Sequence, residues 1–108
     1  MRNKEAISYR EGTAFQKNQL RRLQSRSRRT DATIWIGKQG VSEELLIQVT
    51  GQLKKRELVK LKAHKSALVE TETQVLATKV AASTGSTLIE VMGHTFTLYK
   101  RREKVAKG

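Results

Sequence analysis

Cysteine and proline are absent from this 108-residue chain, aspartate occurs once, as Asp31, and aromatic side chains make up only 5% of it. Without cysteine there can be no disulfide, thiol nucleophile or thiolate metal site, which suits a reducing compartment and excludes a secreted disulfide scaffold. No apolar run approaches the roughly 20 residues of a membrane-spanning helix, and the polar start "MRNKEAISYR" lacks the apolar centre of a signal peptide. A soluble, cytoplasmic protein with no membrane partner is expected. The two histidines, His64 just past a strand and His94 at a turn, have no converging acidic or metal-ligating partners. No enzyme activity, metal or cofactor is expected. The aromatics are too few for a sheet that stacks several bases.

What the chain has in excess is positive charge, 22 Lys and Arg against 10 Asp and Glu, a net +12. The excess is clustered. Residues 1–30 hold nine basic and two acidic side chains, residues 54–65 six and one, and residues 100–108 five and one, whereas the two intervening stretches are each slightly acidic. Clustered charge focuses potential on a defined face and steers a polyanion to it.

At this length one domain is expected, burying roughly 65% of the surface that its unfolded chain exposes. Residues 1–12 show no period and read as a flexible basic extension, residues 13–103 as the folded domain, and residues 104–108 as a flexible tail. From Thr13, Phe15, Leu20 and Leu23 form a narrow apolar stripe in a helix otherwise dominated by Lys17, Arg21, Arg22, Arg26, Arg28 and Arg29. "ATIWIG" reads as a strand with Ile34 and Ile36 on one face and Trp35 on the other. Val41, Leu45, Val49 and Leu53 recur at four-residue steps, with Ser42 placed to cap a helix that ends in Lys54, Lys55 and Arg56. "ELVKLKA" alternates, Val59 and Leu61 facing in, Lys60 and Lys62 facing out. A third helix is expected from about Leu68 to Thr84, closed by Gly85. Two strands follow around a Gly93-His94 hairpin turn. A strand–helix–strand unit followed by a hairpin makes a mixed sheet of about four strands with three helices, an α/β fold. Phe96 is expected in the core, Trp35 to pack between its isoleucines, and Tyr99 on the opposite face, where it can stack.

The stretch "IWIGKQGVSEELL" concentrates the functional signal. Two glycines bracket Lys38 and Gln39 where a strand hands over to a helix. Gly37 and Gly40 let another molecule approach the main chain, and the adjacent helix N-terminus favours an anion. Glu43 and Glu44 oppose a phosphate there unless their side chains turn away from it. The spacing matches neither the Gly-Lys-Ser/Thr nucleotide loop nor the dinucleotide fingerprint.

Together, "IWIGKQGVSEELLIQV", "RELVKLK" and "ASTGSTLIEVMGHTFTLYKRR" resemble the CRM domain, named for chloroplast RNA splicing and ribosome maturation. The similarity runs from about Leu20 to Arg102. Its landmarks are Ile36-Gly37-Lys38-Gln39-Gly40, Glu57 to Lys62, Thr84-Gly85, and Gly93 with Leu98-Tyr99. The resemblance implies a compact sandwich similar to the C-terminal domain of translation initiation factor three. It also implies RNA as partner: for a one-domain chain, ribosomal RNA in large-subunit precursors, in the company of ribosomal proteins. Members commonly carry a histidine late in the first helix and a proline before the first strand; "LQSRSRRTDATIWIG" has neither.

The expected RNA site has Gly37, Lys38, Gln39 and Gly40 as a clamp on the sugar-phosphate backbone. Arg21, Arg22, Arg26, Arg28, Arg29, Lys54, Lys55, Arg56, Lys60, Lys62, Lys100, Arg101 and Arg102 supply diffuse attraction. Recognition is expected to rest on shape and phosphate contacts rather than on bases. The expected role is assembly of the large ribosomal subunit; the alternatives are a permanent ribosomal component and a general nucleic-acid chaperone.

Overall fold

Alternation and four-residue periodicity become layers in the computed structural model, which describes residues 17–101. Expectations for the 1–12 extension, Phe15, Arg102 and the 104–108 tail lie outside the described residues. Helix α1 is Lys17–Arg28, strand β1 Ile34–Ile36, helix α2 Glu43–Arg56 and strand β2 Leu58–Ala63. A short 3-10 turn, Lys65–Leu68, leads to helix α3, Thr73–Thr84, and the chain closes with β3, Thr87–Met92, and β4, Thr95–Tyr99. The sheet order is β1-β2-β4-β3, with β1 and β2 parallel and the other pairs antiparallel. The expected mixed four-stranded sheet is present, and helices cover both of its faces.

On one face Ile34, Ile36, Val59, Leu61, Phe96 and Leu98 meet Leu45, Val49 and Leu53 of α2 and Leu76, Ala77 and Val80 of α3. Phe96 lies in this core as expected. Removing the side chain of a fully buried residue such as Leu61 costs about 2–5 kcal/mol. On the other face α1 sets Leu23 against Leu58 and Ile89, with Leu20 and Tyr99 at the margin. Tyr99 thus reaches the expected face but is half-buried beside α1, so it is not an open platform.

Two features of α1 fix its position. Ser27 and Thr97, both fully buried, share a hydroxyl–hydroxyl hydrogen bond of 2.6 Å. Gln24 Nε2 donates to the Ile89 carbonyl at 3.2 Å, beside a register shift between Leu88 and Glu90. That bulge turns Ile89 and Glu90 to the same side of the sheet, so one packs under α1 while the other bridges Arg28 at 3.3 Å.

Helix α3 starts at Thr73, five residues after the expected Leu68. Val69 is 78% exposed, and between it and Thr73 the chain carries only polar residues. An earlier start would have had no apolar stripe to bury. At the other end Gly85 has φ +68, and both its own N–H and that of Ser86 return to the Ala81 carbonyl.

Candidate nucleic-acid interface

Strand β1 is at the sheet edge, and the Gly37–Gly40 segment leaves its C-terminal end. The Gly40 N–H donates to the Gly37 carbonyl at 2.9 Å, closing a β-turn with Lys38 and Gln39 exposed at its tip. Gly40 has φ +68, the left-handed backbone that a side chain disfavours. The chain then enters α2, where Ser42 Oγ accepts from the Leu45 N–H at 3.1 Å, the expected cap. Among the described residues no protein acceptor meets the N–H groups of Lys38 and Gln39, or those of Glu43 and Glu44 in the first turn of α2. Unpaired amides, the positive end of a 14-residue helix and the Lys38 ammonium therefore lie together.

Beside this turn is a groove of about 330 Å³, lined by the loop itself and by Trp35, Ser42, Glu44, Leu45 and Gln48. Trp35 corrects an expectation: it does not pack away but is 51% exposed at the groove wall. Its neighbours in register explain why. Trp35 pairs with Lys62, Lys62 with Thr95, and Thr95 with Met92, a row across the outer face of the sheet. Helix α1 reaches only the preceding row, where Ser27 meets Thr97, and leaves this one uncovered. Glu44 is also a wall residue of the groove. Alternation in β1 and the four-residue step from Glu44 to Gln48 are the sequence signals that locate these additional side chains.

The sequence-selected cations divide between two ends of the sheet. The His64 N–H donates to the Ile36 carbonyl and the Ala63 N–H to that of His94, so the glycine turn, the end of β2 and the hairpin share one end. Lys38 and Lys62 belong there. Lys54, Lys55, Arg56, Lys100 and Arg101 belong to the opposite end, where β2 begins and β4 finishes. The six residues of β2 separate these ends by roughly 20 Å. Arg21, Arg22 and Arg26 are exposed on α1.

Several of these cations also hold the fold. Lys60 Nζ donates to the Ser27 carbonyl at 3.1 Å and Lys100 Nζ to the Thr84 carbonyl at 3.1 Å, each at the negative end of a helix. Arg28 bridges Glu90, and Arg29 Nη1 donates to Ser25 Oγ at 3.4 Å. No cluster of metal-ligating side chains occurs among the described residues. None of the described helices is long and apolar enough to cross a membrane.

A mixed sheet with helices on both faces and a glycine turn between its edge strand and a capped helix defines a small α/β domain. The CRS1/YhbY (CRM) domain profile matches residues 15–100, and the chain belongs to that family. It is 35% identical over 83 residues to a Methanocaldococcus jannaschii protein named a probable RNA-binding protein. That match takes in 77% of this chain and 61% of the relative, so the chain spans about three-fifths of that protein's length. Its fold is similar to the solution structure of a hypothetical Staphylococcus aureus protein. The TM-score is 0.66 at 24% identity, over 87% of this chain and 96% of the other.

Proposed function

We propose that this chain binds structured RNA through the Gly37–Gly40 turn, and that its target is ribosomal RNA in precursors of the large subunit. The observation that carries the reading is the turn itself, which presents unpaired amides and Lys38 beside the N-terminus of α2. Family membership, the name of the archaeal relative and the net charge of +12 support it.

The physical sequence is short. The basic clusters attract RNA over about a Debye length, 8–10 Å at moderate salt. A phosphate then meets the turn amides, with Lys38 as counter-charge. Cations at the other end of the sheet, roughly 20 Å away, engage a second stretch of backbone only if the RNA holds the two stretches at that separation. A rigid surface with two such contacts selects folded RNA by shape rather than by sequence. Glu44 confines the phosphate to the tip of the turn, because its carboxylate repels an anion from the groove behind.

The test is crosslinking in cells with sequencing of the attached RNA, paired with sedimentation of ribosomal particles. Reads concentrated in large-subunit RNA, with the protein on precursors but absent from translating ribosomes, are the expected result. Full occupancy on translating ribosomes would make it a permanent component, and equal binding to duplex DNA at matched salt would make it a general nucleic-acid chaperone.

A further inference from the structure

The groove beside the turn contains a side chain that phosphate binding does not use. Trp35 is the chain's only tryptophan, and about half of its surface is open to solvent at the groove wall. An exposed indole is costly to leave in water and offers a flat π-face. Apart from Lys38 at the rim, the remaining polar side chains of the lining carry no positive charge: Glu44 is a carboxylate, and Gln39, Ser42 and Gln48 are neutral groups that both donate and accept. Behind the turn, where Glu44 is the charged side chain, the groove disfavours a second phosphate. It suits a neutral, planar group that stacks on one side and donates hydrogen bonds on another, because an ionised carboxylate can only accept.

We infer that, given RNA binding at the turn, the groove takes one unpaired nucleobase of the same RNA, stacked on Trp35 with its amino-bearing edge toward Glu44. The charges on either side fit the rest of the nucleotide chain. Lys38 lies on the turn, and Lys62 lies one strand inward from Trp35 on the same face of the sheet, so the phosphates flanking the base meet cations while the base meets the acid. A bulged or looped-out residue satisfies this geometry; a base inside a continuous duplex cannot reach the groove without leaving its stack. The proposal adds one base contact to the shape and phosphate contacts expected from the sequence. Glu44 supplies the selectivity: guanine, adenine and cytosine present an exocyclic amino donor, whereas uracil presents carbonyl oxygens on both sides of its single N–H.

The experiment uses the full chain and two RNA hairpins that are identical except for one bulged adenosine. Trp35 fluorescence reports the groove without a label, and competition binding reports total affinity. The expected result is quenching of Trp35 by the bulged hairpin and not by the fully paired one. Trp35→Ala should weaken binding of the bulged hairpin roughly 5- to 150-fold, the range for one base–aromatic stack. It should leave the paired hairpin within twofold and the circular dichroism spectrum unchanged; Trp35→Phe should restore most of the loss. Replacing the bulged adenosine by uridine should weaken binding to the wild type but not to Glu44→Gln, whose amide can donate. If Trp35→Ala weakens both hairpins alike or neither, or the bulge gives no quenching, the base site is refuted. Lys38→Ala read in parallel keeps the two readings apart: loss on both hairpins with Trp35 silent retains RNA binding at the turn and removes only the base. If neither hairpin binds, RNA binding itself fails and the base site fails with it.

Discussion

Alanine at Gly37 separates the two roles that a turn glycine can have. Of the two glycines, only Gly40 has positive φ, at +68. A methyl group there incurs the left-handed penalty of about 1–2 kcal/mol, partly offset by about 0.4–1 kcal/mol from the reduced freedom of the unfolded chain. Gly40→Ala should therefore lose about 1 kcal/mol, a fall of roughly 4–8 °C in melting temperature for a domain of this size. At Gly37 φ is not positive, and a Cβ built on the backbone meets no atom within 4 Å. The fold does not need a glycine at that position, and Gly37→Ala should be neutral or gain a few tenths of a kcal/mol.

A phosphate resting on the turn reverses this ranking. The space that a methyl at Gly37 would occupy is open in the free protein and lies at the groove that Gly37 lines. Displacing one charge-assisted hydrogen bond between a peptide N–H and phosphate should cost about 1.5–3 kcal/mol, or roughly 10- to 150-fold in affinity. Gly51 provides the control, because it is exposed in α2, also has free space around its Cα, and lies outside the groove. Gly51→Ala should stabilise the helix by up to about 1 kcal/mol and leave RNA binding unchanged. Thermal unfolding and RNA titration on the three variants complete the comparison. If Gly37→Ala binds RNA like the wild type, the ligand backbone does not lie against the turn and the reasoning from bare amides is wrong.

Lys38→Ala should reduce the dependence of log K on log salt by about 0.7–0.9, the share of one phosphate, across RNAs of different sequence; an unchanged slope removes Lys38 from the interface. Thr97→Val leaves the Ser27 hydroxyl without its 2.6 Å partner in a fully buried position and should cost about 1–3 kcal/mol in urea unfolding. A loss below about 0.5 kcal/mol would mean that Ser27 finds another acceptor. Lys60→Met keeps the aliphatic stem and removes the donor to the Ser27 carbonyl; a drop of about 0.5–2 kcal/mol in stability is expected. If RNA affinity falls while stability stays constant, Lys60 is chiefly an RNA contact.

Most of the fold was legible because each element declares its period over a short stretch. Leu45, Val49 and Leu53 all turn inward from one side of α2, Val41 packs against the same core just ahead of the helix, and Ser42 caps where a helix start was expected. Gly85 and the Gly93-His94 turn mark their boundaries through backbone angles that glycine adopts at low cost. The same local reading missed Glu57, which takes φ +62 to join α2 to β2 in a single residue. It had no glycine to signal that turn. The roles of the basic residues were also hidden. Lys60 and Lys100 look like free surface charges in the chain, but each ends on a helix carbonyl that is 33 and 16 residues away, respectively. No local pattern encodes such a contact, since it depends on where α1 and α3 stop relative to the sheet.

Trp35 shows how the candidate site depends on that tertiary layer. Alternation assigns the indole to the face opposite Ile34 and Ile36, which is correct, but a face is buried only if something covers it. The length and anchoring of α1 decide this. Ser27 lies over Thr97 and the helix ends at Arg28, one row short of Trp35, Lys62, Thr95 and Met92. Another turn of α1 in the same direction would extend from the Thr97 row toward the row that holds Lys62 and Thr95. The Ser27–Thr97 pair therefore has a consequence beyond stability, because it sets the register of α1 on the sheet and with it the extent of open surface next to the glycine turn.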